Sequence, residues 1–181
     1  MKTIKEKQAG AFTALKEKCG YTSPMQTPRM KSVAVSVGTG SFKDKKKFEV
    51  VMDRLAKITG QKPSPRGAKQ AIASYKSRQG DVVGALVTLR GARAAGFLEK
   101  LLQVALPRTK DFRGIPPTAI DEMGNLTVGI REHTVFPETA DEELKDVFGM
   151  GVTMVTTARN RDEARAYLAH LGFPFAKEKK K

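Results

Sequence analysis

Tryptophan is absent from this 181-residue chain, cysteine occurs once and histidine twice. The single Cys19 cannot close an internal disulfide and suits a reducing compartment. It falls on the apolar face of the first predicted helix, where a small core residue is expected. His133 and His170 have no neighbouring His or Cys at metal-ligand spacing, so each reads as a structural histidine and no metal site is expected. No serine sits in a G-x-S-x-G elbow, and the carboxylates of "DEEL" are consecutive instead of forming a separated acid–base pair. No catalytic constellation converges and no cofactor is implied. Aromatic residues make up 7% of the chain, so any stacking on bases rests on few rings. Long hydrophobic runs are also missing. The longest, Val82 to Leu89, is too short to span a bilayer and contains Gly84 and Thr88. The opening "MKTIKEKQAGAF" has no apolar signal core, so a cytoplasmic location without a membrane partner is expected.

What the chain has in excess is positive charge. Lys and Arg number 33 against 19 Asp and Glu, a formal net charge of +14 with a pI near 10.0. Such a balance favours polyanions through long-range attraction and counterion release. Nucleic acid is the leading partner, ahead of an anionic membrane surface. The length and ordinary hydrophobic content fit one domain over residues 1–181, without internal repeats.

Hydrophobic periodicity places the elements. A first helix is predicted over Thr3 to Cys19, with Ile4, Ala11, Phe12, Leu15 and Cys19 as its stripe and Gly20 as its stop. A proline-punctuated connector leads to a strand over Lys31 to Val37. A second helix then runs to Thr59, closed by Gly60. "GQKPSPRGAKQ" reads as a loop. A short strand at Ala71 to Tyr75 is expected to pair as a hairpin with a stronger one at Val82 to Arg90. A third helix over Ala92 to Ala105 should end at Pro107. Strands follow at Leu126 to Arg131 and Val152 to Thr157. The last helix, Arg161 to Leu171, has Asn160 as candidate N-cap and Gly172 as stop. A basic tail covers residues 176–181.

This order predicts an α+β fold, a mainly antiparallel sheet with helices packed on one face and the opposite face left open. Alternation sends Val33, Val35 and Val37 toward the helices, with Ala34 and Ser36 opposite. Val83, Ala85, Val87 and Leu89 share the covered face; Val82, Gly84, Leu86, Thr88 and Arg90 share the other. Thr127, Gly129, Arg131, Thr153 and Thr157 extend an open surface of small, hydroxyl and guanidinium groups, suited either to solvent or to a phosphate–sugar surface.

Three segments carry further chemistry. Gly38-Thr39-Gly40 precedes a helix, but Gly38 to Lys43 lacks the third glycine of a dinucleotide fingerprint and the Gly-Lys-Ser/Thr of a P-loop. "KPSPRGAKQAIASYKSRQGD" sets Lys62, Arg66, Lys69, Lys76 and Arg78 among small residues and Tyr75, a composition suited to phosphate contact and ring stacking. The acidic run Glu138 to Asp146 opposes the general charge and reads as a solvated helix start or as a dock for a basic protein. Beside RNA binding, two alternatives stand: a small nucleotide-dependent enzyme using the Gly38–Lys43 turn, and a basic protein that binds RNA nonspecifically.

The blocks "ITGQKP", "KSRQGDVVGALVTLRG", "ALPRTKDFRGI" and "VGIREHTVFPE", followed by "LGFPF", occur in an order that resembles the bacterial-type large-subunit ribosomal protein L5 family, from about Tyr21 to Phe175. The resemblance implies a noncatalytic α+β protein that binds 5S rRNA, sits beside 23S rRNA and neighbouring large-subunit proteins, and helps form the central protuberance. It implies 5S rRNA contact at Ser36, Gly38, Gly40, Gln61, Tyr75, Thr88 and Arg90. Two positions depart from the family pattern: Ser36 stands where asparagine is common, and Tyr75 where phenylalanine is common. Serine keeps a hydroxyl but lacks the amide's paired donor and acceptor, whereas Tyr75 keeps the ring. The loop Lys69 to Asp81 is similar to the one that reaches P-site tRNA, which implicates Lys69, Tyr75, Lys76, Arg78 and Gln79. Segments 111–125 and 136–145 are similar to those facing small-subunit protein S13 across an inter-subunit bridge, implicating Asp111, Arg113, Glu138, Asp141 and Glu142.

Overall fold

The computed structural model describes residues 3–40, 45–75, 77–110, 112–139 and 147–176. Five strands, β1 Met30–Gly38, β2 Ser64–Gly67, β3 Val82–Leu89, β4 Leu126–Ile130 and β5 Met150–Thr156, form an antiparallel sheet in the order β2-β3-β1-β5-β4. The helices are α1 Ile4–Ala9, α2 Ala11–Cys19, α3 Lys45–Thr59, α4 Gly91–Lys100, α5 Leu106–Arg108 and α6 Arg161–Leu171. This is the α+β class read from the sequence. No described helix is long and apolar enough to cross a membrane.

Each strand shows why it formed. Val33, Val35 and Val37 are buried while Ser36 and Gly38 are exposed. Leu126, Val128 and Ile130 alternate with exposed Thr127 and Gly129, and Met150, Val152, Met154 and Thr156 are buried along β5. A period of two with one face buried pins the register, because a one-residue slip would expose every apolar side chain.

The chain gathers into two compact units, one drawn from Met1–Val33, Arg90–Val128 and Thr153–Lys181, the other from Ala34–Leu89 and Gly129–Val152. In the first, Thr3 and Glu6 form a reciprocal capping box at the start of α1. The helix predicted over Thr3 to Cys19 is divided at Gly10, although Ala14 N–H still donates to Gly10 O at 3.2 Å. Ile4, Ala11 and Leu15 are buried, but Phe12 and Cys19 are only half-buried, so Cys19 is not a core residue. Lys7 Nζ donates to Leu171 O at 2.8 Å, and His170 Nε2 donates to Lys7 O at 2.8 Å. These two bonds clamp α1 to the C-terminal end of α6, where a cation also suits the helix dipole. α6 spans the residues predicted for it, buries Ala164, Tyr167, Leu168 and Leu171, and stops at Gly172 with φ 104°. Asn160 occupies the N-cap but makes no side-chain capping bond.

Pro107 does not end the third helix at Ala105. α4 passes through a π turn, Leu101–Ala105, into α5, which contains the proline. Leu106 N–H donates five residues back to Leu101 O. The widened turn accommodates a ring that would press on the preceding turn of a regular α-helix.

In the second unit, Val51, Leu55 and Ile58 of α3 are buried and the helix packs on β3. His133 lies fully buried in a 3-10 turn beyond β4, not in a strand. Its ring stacks on Phe148 with centroids 4.2 Å apart, and Arg54 Nη1 is 3.4 Å from its Nε2. The strand expected at Ala71 to Tyr75 is absent: Ala73–Tyr75 is a 3-10 turn, and the partner of β3 is β2, within a stretch read as loop. Pro65 disguised it. A residue without an N–H is tolerated on an edge strand, and β2 is the edge. Register shifts between Arg66, opposite Gly84, and Gly67, opposite Val82, which leaves Val83 as the extra residue of a bulge. Val83 is half-buried, unlike Ala85, Val87 and Leu89, with which it was expected to share the covered face.

Two outcomes follow. A Cβ on Gly84 would stand 2.8 Å from Val37 O, so Gly84→Ala should destabilise the chain by about 1–3 kcal/mol, as overpacking does, read from urea midpoints. Tyr167 is fully buried, accepts a bond from Met30 N–H, and has its hydroxyl pushed up to about 12 from 10.0 by burial. A folded value above the unfolded one gives stability that is complete below pH 10 and lost as pH rises toward 12. Tyr167→Phe should flatten this alkaline decline, and an unchanged decline would refute the assignment. Some decline should persist, because burial and a hydrogen bond to Glu163 also raise the Tyr21 hydroxyl.

Candidate nucleic-acid interface

None of the five described strands contains an Asp or Glu. In the second unit the uncovered side of the strands carries Ser36, Gly38, Thr88 and Gly151, small groups that let another surface approach the backbone. The Ser36 hydroxyl donates to Gly151 O at 3.4 Å. Gln61 is placed by the end of α3: Gly60 turns the chain at φ 67°, and Thr59 Oγ1 donates to Leu55 O while accepting from Gln61 N–H. The Gln61 side chain then reaches 27 residues along the sequence to donate from Nε2 to Thr88 O at 3.3 Å. Gln61 and Thr88, both half-buried, are thus brought together as one polar station.

At the end of β1 lies a groove of about 850 Å³. Gly38, Gly40 and Val83 line it together with Ala68, Lys69, Gln70, Ile72, Tyr75 and Ser77 from the loop after β2. No carboxylate is among these residues. Tyr75 is 79% exposed and Ile72 44%. Backbone bonds hold the loop: Ala68 N–H to Asp81 O, Gly80 N–H to Ala68 O, Ile72 N–H to Ser77 O and Tyr75 N–H to Ile72 O. Asp81 Oδ2 also accepts from Arg78 N–H at 2.7 Å, so the loop's acid is engaged within it.

The structure thus gathers Gly38, Gly40, Tyr75 and Lys69 on one groove and joins Gln61 to Thr88. Lys69, Arg78 and Gln79 are exposed along the loop; Lys76 lies outside the described residues. Arg90 is exposed at the N-cap of α4 and belongs to the other unit. Glu138 is exposed in a 3-10 turn and Arg113 is exposed in a loop, whereas Asp111, Asp141, Glu142 and the end of the Gly38–Lys43 turn lie outside the described residues. Gln70, Ile72, Ser77 and Val83 were not singled out from the sequence. Ile72, an isolated large apolar residue in a polar loop, was the available signal; the bulge at Val83 had none.

Residues 23–78 match the family model for Ribosomal protein L5, and residues 82–175 match the model for the C-terminus of the same ribosomal family. The chain is 44% identical over 162 residues to the large ribosomal subunit protein uL5 of Anaeromyxobacter sp. (strain K), covering 89% of this chain and 90% of that one. The uL5 protein of Rubrobacter xylanophilus is 45% identical over 163 residues, 90% and 91% of the two chains. That of Flavobacterium johnsoniae is 43% identical over 173 residues, 95% and 94%. An acid-free sheet surface beside a basic loop, together with these likenesses, defines a ribosomal protein, a structural component of the ribosome and not an enzyme. The chain belongs to the ribosomal protein L5 family. This removes the nucleotide-dependent enzyme as a reading of the Gly38–Lys43 turn.

The Gln61–Thr88 bond separates two substitutions. Gln61→Ala should lower stability by about 0.5–1.5 kcal/mol, the usual net worth of such a bond. Thr88→Ala keeps the carbonyl and the bond, so its thermal midpoint should stay closer to wild type. Equal losses would show that the bond is not made.

Proposed function

We propose that this chain is the large-subunit constituent that binds 5S rRNA through the open sheet face and the groove at its β1 end. It thereby positions the 5S rRNA in the central protuberance, beside 23S rRNA and neighbouring large-subunit proteins in the cytoplasmic ribosome. The observation that carries the reading is the absence of carboxylate from every described strand in a chain of net charge +14. Repulsion from phosphate is thereby removed from the surface while attraction is kept in the loops. Gln61 and Thr88 supply a side-chain amide and a hydroxyl for ribose or phosphate. Ser36 adds a second hydroxyl, and Arg90 contributes a cation from the start of α4.

The loop from Lys69 to Asp81 is the element for P-site tRNA, with Lys69, Arg78 and Gln79 exposed for backbone contact and Lys76 in the same stretch. The acidic segment beginning at Glu138 and the loop carrying Arg113 are the elements for basic small-subunit protein S13 across the bridge. Work in both places is adhesion and positioning.

The test is binding to labelled 5S rRNA over a salt series with bulk tRNA as competitor. Affinity should survive the competitor, and log K should fall with log salt by roughly 0.7–0.9 per phosphate neutralised. Gln61→Ala combined with Thr88→Ala should weaken binding while leaving the salt slope nearly unchanged, since neither residue is charged. Equal competition by any RNA of similar length would reduce the protein to a nonspecific basic binder and refute the 5S reading.

A further inference from the structure

We propose that Met25 is a redox modification site at which peroxide forms one sulfoxide epimer, on the side of the sulfur that Arg29 leaves free. Among the described residues, Met25 at 78% exposure and Met123 at 73% are the methionines open to solvent. Met30 and Met52 are half-buried, and Met150 and Met154 are buried. An exposed thioether is the one that dilute peroxide reaches first. The two exposed sulfurs differ in one respect. Arg29 Nη2 donates to Met25 Sδ at 3.0 Å, whereas no hydrogen bond among the described residues reaches Met123 Sδ. Main-chain bonds hold both ends of the Met25–Arg29 contact. Ser23 and Gln26 cap the 3-10 turn Pro24–Gln26, and Met25 N–H donates to Ser23 Oγ at 3.4 Å. Arg29 N–H donates to Thr157 Oγ1 at 2.8 Å, and Thr157 N–H returns to Arg29 O at 3.0 Å. All of these residues belong to the first unit. Sulfur and guanidinium thus start from held backbones, and only side-chain torsions are left to separate them.

The contact matters because a thioether sulfur is prochiral. It carries two lone pairs, and oxygen transfer to one or the other gives opposite configurations at sulfur. A guanidinium N–H aimed at one pair draws its density away and stands in the path of an oxidant. Attack then falls on the second pair. One peroxide oxygen bonds to Sδ, the O–O bond breaks, sulfur gives up two electrons, and the other oxygen leaves as water with both peroxide protons. Arg29 keeps its proton and its charge throughout. The product is a polar sulfoxide, whose oxygen is a stronger acceptor than the thioether, so Arg29 has a better partner after oxidation than before. Reversal is equally selective, since each of the two methionine sulfoxide reductases takes one sulfur epimer. Met25 sulfoxide is therefore erased chiefly by a single reductase. Met123 sulfoxide, formed at a sulfur without a donor, needs both.

The full chain is treated with limiting hydrogen peroxide, quenched, unfolded and digested. Peptides carrying Met25 or Met123 then meet either reductase before mass spectrometry. Digestion ahead of reduction makes stereochemistry the readout, free of access to the folded surface. Met25 sulfoxide should be cleared roughly two- to tenfold further by one enzyme than by the other, the ratio that one hydrogen bond sustains. Met123 sulfoxide should be cleared about equally by both. Arg29→Ala keeps the main-chain bonds to Thr157, so it should even out the two epimers at Met25 with the thermal midpoint kept. Oxidation of the wild-type chain in urea should even them out too. Equal clearance of Met25 sulfoxide from the folded wild type would overturn the proposal. So would an excess that survives in Arg29→Ala or in urea, or oxidation of Met123 with Met25 untouched. None of these results bears on 5S rRNA binding, which stands or falls by its own test.

Discussion

A sheet buried on one side only is the constraint on which the rest of this protein depends. Valine at every second position of β1, leucine, valine and isoleucine along β4, and methionine and valine along β5 commit one surface to the core. The other surface carries far less of that packing: beside half-buried Leu86 it holds hydroxyls and glycines, and the Thr127 and Thr153 hydroxyls meet at 3.1 Å. None of the described strands carries an acidic side chain. A protein that must lie against a polyanion needs this division, because a carboxylate anywhere on the contact would cost more than one cation returns once water is expelled.

The two kinds of polar chemistry are carried by different parts of the fold. Strands and the end of α3 set the neutral donors and acceptors, Gln61, Thr88 and Ser36, on rigid elements. Lys69 and Arg78 stand on the loop after β2, and further cations lie on strands and helices, Lys31 on β1 and Arg66 on β2 among them. On the proposed reading, neutral groups held on regular elements would supply orientation and the cations an attraction that any RNA would feel, so discrimination among RNAs would fall to the first set. Tyr75 belongs to both descriptions, being a ring held by a loop whose own backbone bonds fix it.

Much of the fold was legible because alternation and helical spacing are strong wherever one face is buried. β1, β4 and α6 were read within a residue or two, and the end of α3 at Thr59 was met, for that reason. Where a local rule was broken, the reading failed. Pro65 and Gly67 hid β2, whose place at the sheet edge no local pattern announces. Pro107 marked a helix end that a π turn removes. Val83 was assigned to the covered face by a parity that the register shift interrupts. The Gln61–Thr88 bond spans 27 residues and arises only when α3 and β3 come together. The groove was half legible: Gly38, Gly40 and Tyr75 stood out by type, whereas Ile72 and Val83 join them only through the loop and the bulge.

The clamp between Lys7 and the end of α6 bears on how the chain is made. Lys7 is made 164 residues before Leu171 and 163 before His170. Every residue of the unit that carries Gln61, Thr88 and Tyr75 has been polymerised before α6 exists. That unit can therefore condense while the N-terminal helix still waits for its partner, and contacts of such long sequence separation are slow to close. Closure of the clamp then waits until α6 has been made.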